Sequence, residues 1–174
     1  MAINLQKGQR IGIGLQKVGV GLGWDSNTGT GYDFDLDASA FMLGDNGKLP
    51  QDEFFVFYNN QHSPDNAVES SGDDLTGGNS DGGDDETLTV NLAEVDSRVQ
   101  EILFTVTIHD AEQRRQNFGQ VHNSYIRIYN ALTNEEIAKY ELDEDFSTET
   151  AVEFGRLYRH NGEWKFEAMG LSLI

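Results

Sequence analysis

Strand-length apolar runs recur along almost all of this 174-residue chain, with one short stretch that reads as a helix, and this pattern restricts the fold more than any other feature. ILFTVTI (102–108) and YIRIYNA (125–131) combine β-branched and aromatic residues in the way a pleated, half-buried surface favours. RHNGEW (159–164) sets an Asn-Gly pair between two alternating segments, a hairpin signature. Strands are expected near 3–6, 10–15, 18–24, 33–43, 54–58, 87–92, 102–109, 125–130, 136–142, 152–159 and 163–169. The helix is expected near 111–117 in DAEQRRQNFG, with Asp110 capping its first turn, Gln113 answering three residues on and Gly119 closing its end. So many strands with short connections predict an all-β, two-sheet antiparallel β-sandwich, formed as a single domain over 1–174.

DFDLDASAF (33–41) fits that expectation awkwardly. With a period of two, Phe34, Leu36, Ala38 and Ala40 line one face of a strand, and Asp33, Asp35 and Asp37 stand in a row on the other. Aspartate is a poor strand former and like charges on one face repel, so a cation is expected there. The charge distribution points the same way. Residues 1–24 carry a net charge of +3, residues 25–86 carry −14 and residues 87–174 carry −7. The middle segment holds 12 Asp and 3 Glu, whereas the last holds 4 Asp and 11 Glu. Glutamate serves a solvated surface as well as aspartate does; short Asp side chains on loops suit the clustering of oxygens around a hard ion.

GDDLTGGNSDGGDDE (72–86) supplies such a loop, with Asp73, Asp74, Asp81, Asp84, Asp85 and Glu86 among glycines that allow sharp turns. It lies in a polar segment, 59–86, that on composition alone would pass for a linker. No EF-hand order is present, and GGNSD gives at best one imperfect copy of a calcium nonapeptide. In a strand, residues four apart lie roughly 13 Å from each other, so one ion cannot touch both Asp33 and Asp37. At least two Ca2+ ions are expected, with Asp35 bridging them, the 73–86 loop closing over both, Asp25 next in line and Asn59, beside Asn60, adding a carbonyl oxygen. Magnesium keeps more of its water, and zinc and copper recruit His or Cys.

Other chemistries find less support. The net charge of −18 argues against nucleic acid as a direct partner. There are no cysteines, hence no disulfides and no thiolate metal sites. No run is long enough for membrane insertion and the start MAINLQKGQR has no apolar signal core, so a cytoplasmic location is expected. The glycines from Gly8 to Gly23 lack the Lys-Ser/Thr pair and the helix of a phosphate loop, and read as strand glycines. His62, His109, His122 and His160 are scattered singly. His109 with Asp110 invites a catalytic reading, but neither a nucleophile elbow nor a zinc-protease helix accompanies it.

GLGWD (21–25), DFDLDASAF, FYNN (57–60), GDDLTG (72–77) with GDDE (83–86), FTVTIHDAE (104–112), FGQVHNSYIRI (118–128) and LYRHNGEWKFEAMG (157–170) together resemble the TerD family of bacterial tellurite-resistance and stress proteins. The resemblance implies a calcium-binding β-sandwich, a cytoplasmic stress protein tied to tellurite resistance and to phage or colicin defence, and association with Ter-type protein partners at the inner face of the membrane. The function expected from residues and resemblance together is a non-enzymatic binding or scaffold module that responds to Ca2+. The alternative is a metal-dependent hydrolase or phosphate-processing enzyme built on the same acidic site.

Overall fold

The structure is a computed structural model that describes residues 3–4, 10–12, 16–24, 35–57, 60–70, 85–121, 124–141 and 150–172. Among these residues the strands in chain order are β1 (Ile3–Asn4), β2 (Arg10–Gly12), β3 (Lys17–Gly23), β4 (Leu36–Leu43), β5 (Phe55–Val56), β6 (Val68–Ser70), β7 (Glu86–Asn91), β8 (Glu101–Ile108), β9 (Tyr125–Asn130), β10 (Glu136–Glu141), β11 (Ala151–His160) and β12 (Glu163–Ser172). They form two six-stranded sheets, ordered β1-β10-β9-β3-β7-β6 and β2-β12-β11-β8-β4-β5. Every pairing is antiparallel except that of β1 with β10, so the expected antiparallel sandwich carries one parallel edge strand.

Alternation along each strand decides what the sheets bury. Val18, Val20 and Leu22 of β3, Leu88 and Val90 of β7, and Ile126 and Ile128 of β9 face inward from the first sheet. Leu36, Ala38, Ala40 and Met42 of β4, Ile102, Phe104, Val106 and Ile108 of β8, Val152, Phe154 and Leu157 of β11, and Phe166 of β12 meet them from the second. Full burial of each large apolar side chain is worth about 1.5–3 kcal/mol, and these contacts supply the main force holding the sheets together. The core phase of β4 is the one its sequence predicts, which leaves Asp35 and Asp37 on the opposite face. At Gly155 a bulge interrupts the pairing of β11 with both neighbours, and the Phe166 ring fills the space where a Cβ would stand.

The turn at Asn161-Gly162 has positive φ at both residues and pairs His160 with Glu163, as the Asn-Gly signature requires. The helix is shorter than its sequence implies. It spans Ala111–Arg114, Asp110 itself takes a left-handed conformation without making a side-chain cap, and Arg115 ends the turn with φ 55. Gly119 closes nothing: it lies inside a separate 3-10 turn, Phe118–Gln120. β6 was absent from the expected strands because only Val68 interrupts its polar surroundings. Asp65 organises the turn before it, accepting hydrogen bonds from Ser63 Oγ, from the Ala67 N–H at 3.0 Å and from the Asp96 N–H at 2.7 Å. Part of the polar 59–86 segment is therefore sheet edge, and Asp65 is a structural acid.

The strand glycines of β3 have a packing role. Gly19 pairs with Tyr129, Gly21 with Arg127 and Gly23 with Tyr125 on the outer face of the first sheet. A Cβ added at Gly19 would fall inside the Tyr129 ring, and one at Gly23 inside the Tyr125 ring. The aromatic rings lie across the bare strand while Arg127 covers Tyr129 at 4.1 Å and Lys139 covers Tyr125 at 4.6 Å. Gly19→Ala is expected to destabilise the fold by about 1–3 kcal/mol through displacement of the Tyr129 ring, read by urea unfolding. An unchanged midpoint would mean that the ring does not rest on β3.

Candidate metal centre

The site begins with the register of β4 against β8. Leu36 stands opposite Ile108 and Asp37 opposite Thr107. The His109 N–H continues the ladder by donating to the Asp35 carbonyl at 2.8 Å, which makes Asp35 and His109 cross-strand neighbours. Two residues along the same face stands Asp37. One ligand atom from each of Asp35, Asp37 and His109 lies within 4.8 Å of the others. Asp35 and Asp37 are 6% and 7% exposed, very low for charged residues. Oδ1 of each is buried and receives no hydrogen bond among the described residues, although both residues make other contacts. His109 is half exposed, with its Nε2 3.3 Å from Asp110 Oδ2.

This geometry suits a cation chemically. Two buried carboxylates converging on one point offer hard oxygen donors, and neighbouring side chains along the strand lean together closely enough for one ion to touch both. His109 is the residue whose role sequence reasoning missed. The His-Asp pair drew attention to Asp110, whereas the ladder places the imidazole beside Asp35 and Asp37. Only knowledge that β8 pairs with β4, in this register, would have revealed it.

Asp85 and Glu86 enter from the first sheet. The Asp85 N–H donates to the Leu22 carbonyl at 2.8 Å, and its Oδ2 accepts from the Trp24 N–H at 2.9 Å. Glu86 is 5% exposed and its Oε1 accepts from the Ala38 N–H at 3.3 Å. β5 pairs with β4 only at Ala40 and Phe41, so this N–H sits on a stretch of edge that β5 does not cover. Glu86 thus ties β7 of one sheet to β4 of the other, directly beside Asp37. Both acids have a structural task besides any part in ion binding. Asn60 is likewise engaged, its amide donating to the Glu53 and Phe55 carbonyls at 2.9 and 2.8 Å. Asp25, Asp33, Asn59, Asp73, Asp74, Asp81 and Asp84, also expected at the site, lie outside the described residues.

The model of the TerD domain family matches residues 1–173. The chain belongs to the TerD family. This TerD-family chain is 55% identical over 133 residues to the tellurium resistance protein TerD of Serratia marcescens, across 76% of its own length and 68% of that relative. It is 52% identical over 176 residues to general stress protein 16U of Bacillus subtilis strain 168, across 98% of its own length and 90% of that protein. A solved structure of a homologue of the telluride resistance protein TerD from Streptomyces coelicolor A3(2) superposes with a TM-score of 0.77 at 21% identity, covering 92% of this chain and 91% of that one, and shares the fold. The family to which it belongs thus includes proteins named for tellurium resistance and for general stress. Among the described residues no helix is long and apolar enough to cross a membrane.

The structural task of Glu86 can be separated from its charge. Glu86→Ala, which removes the acceptor of the Ala38 N–H, is expected to lose about 1–3 kcal/mol of stability in the presence of chelator, while Glu86→Gln keeps an oxygen in place and loses less. Urea unfolding of both variants reads the difference. Equal losses would show that charge, not the acceptor, holds the two sheets together here.

Proposed function

We propose that this chain is a non-enzymatic, calcium-binding stress-response module in which ion occupancy changes the charge and the loop arrangement at one end of the sandwich. The observation that carries the reading is the convergence of two buried Asp carboxylates, Asp35 and Asp37, on the non-core face of β4. Burying a carboxylate is unfavourable unless a positive partner compensates it, and a hard divalent ion does so through oxygen ligands. Asp35 and Asp37 would hold one ion. Asp33, Asp25, Asn59 and the acids of 73–86 are the proposed further ligands, for two or more ions in all. Two Ca2+ would take the formal net charge from −18 to −14. Ter-type partners at the inner face of the membrane would read that change, with the protein itself in the cytoplasm.

His109 favours a second reading. An imidazole beside two carboxylates is a donor set that zinc or manganese accepts, with Asp110 3.3 Å from its Nε2 to orient the ring, and such a centre would suit a metal-dependent hydrolase. Calorimetric titration with Ca2+, Mg2+ and Zn2+, followed by thermal melts with and without chelator, separates the two readings. The calcium module predicts strong Ca2+ binding, a higher melting temperature in calcium, and retention of both by His109→Ala. Selective Zn2+ binding that His109→Ala abolishes would favour the second reading. No response to millimolar calcium would end the first.

A further inference from the structure

On the outer face of the second sheet, at the edge away from β4, a cavity of about 170 Å3 is lined by Arg10, Gly12, Tyr158, His160 and Lys165. Register explains the lining. Gly12, Lys165 and Tyr158 stand in one row across β2, β12 and β11, and Arg10, Glu167 and Arg156 form the next. The missing side chain of Gly12 makes the space, since a Cβ built there meets nothing within 4 Å. Tyr158 is held beneath guanidinium groups, Arg156 at 4.4 Å and Arg10 at 6.0 Å from its ring centre.

The charges of this wall are unequally balanced. Glu167 accepts a 2.7 Å hydrogen bond from Arg156 Nε and lies 3.4 Å from Arg10 Nε, while Arg156 also reaches Glu101 at 3.5 Å. The hydrogen bond from Arg156 holds the Glu167 carboxyl below the usual range, so it remains a committed anion. Two acids therefore largely neutralise Arg156. Arg10 is mostly exposed beyond its contact with Glu167, and among the described residues no carboxylate is in ion-pair contact with Lys165. Glu163, exposed and opposite His160 in the ladder, is the other acid on this wall. In a chain with 12 basic and 30 acidic residues, a hollow with this composition runs against the background charge.

We infer that this cavity binds a small oxyanion of the phosphate class, with the Lys165 ammonium and the Arg10 guanidinium as charged donors and the Tyr158 hydroxyl and His160 imidazole as further donors. Charged donors make the stronger hydrogen bonds to such an anion, and Arg and Lys are its usual partners. The site uses side chains standing on a sheet; no glycine-rich turn or helix N-terminus takes part, in keeping with the absence of a phosphate loop. It lies at the β2 edge of the sheet, whereas Asp35 and Asp37 lie at β4, near the opposite edge. The oxyanion can be free phosphate or the headgroup of a phosphomonoester lipid, and the experiment distinguishes these sources.

The test follows the His160 ring resonances by NMR during titration of the full chain with inorganic phosphate, against sodium chloride at matched ionic strength. A saturable shift with phosphate alone is expected. Gly12→Val, which fills the hollow without altering charge, and Lys165→Met, which removes the ammonium, should each weaken it about tenfold or more with little change in melting temperature. Co-sedimentation with phosphatidylcholine vesicles doped with phosphatidic acid is measured in parallel. Vesicle binding that both substitutions abolish identifies the headgroup as the source, and binding of phosphate alone identifies the free anion. Identical responses to phosphate and chloride without variant-sensitive vesicle binding, or wild-type behaviour of both variants, would overturn the site.

Discussion

The acidic end of the molecule depends on the register in which β4 lies against β8. Leu36 opposite Ile108 is a core pair, and once it is fixed the Asp35 carbonyl meets the His109 N–H and the two side chains become neighbours. A slip of one residue would place Asp35 and Asp37 in the core and Leu36 and Ala38 outside it. The apolar face that drives the sandwich together is thus the same device that aligns the carboxylates. Folding energy supplies the organisation, and the carboxylates bear its electrostatic consequence.

That consequence is considerable. Two unit charges about 5 Å apart repel by roughly 3 kcal/mol at the effective dielectric of a protein, before any desolvation is counted. A domain with a net stability of about 5–15 kcal/mol can carry this, but only with compensation nearby does it become an advantage. Glu86 illustrates a different use of a buried acid, because its Oε1 accepts the Ala38 N–H and so joins β7 to the edge of β4. Asp65 illustrates a third, with three donors gathered around one carboxylate. The acid-rich segment is therefore a mixture, in which some carboxylates shape the backbone and Asp35 and Asp37 are directed toward one another.

Alternation of apolar and polar residues made most of the fold legible in the sequence. The core phase of β4, the Asn161-Gly162 turn and the positions of most strands along the chain follow from local chemistry acting on one or two residues at a time. β6 escaped notice because a short edge strand buries little and needs few apolar residues. The helix was overestimated because DAEQRRQNFG has good formers and cap residues, while Asp110 and Arg115 both turn left-handed and limit it to a single turn. At the site, Asp35 and Asp37 were visible from their period of two. His109 was not, since its place depends on which strand lies next to β4, a nonlocal fact. Likewise the cation-lined hollow around Gly12 arises where β2, near the start of the chain, pairs with the β11–β12 hairpin near its end.

Anomalous diffraction from crystals grown with calcium tests the central claim most directly, because it locates the ion instead of inferring it from stability. The account predicts an anomalous peak at the non-core face of β4 with oxygens of both Asp35 and Asp37 about 2.3–2.6 Å away, and loss of that peak in Asp35→Ala/Asp37→Ala crystals. A well-ordered β4 with no peak beside those two carboxylates, at calcium concentrations that saturate the protein in solution, would contradict it.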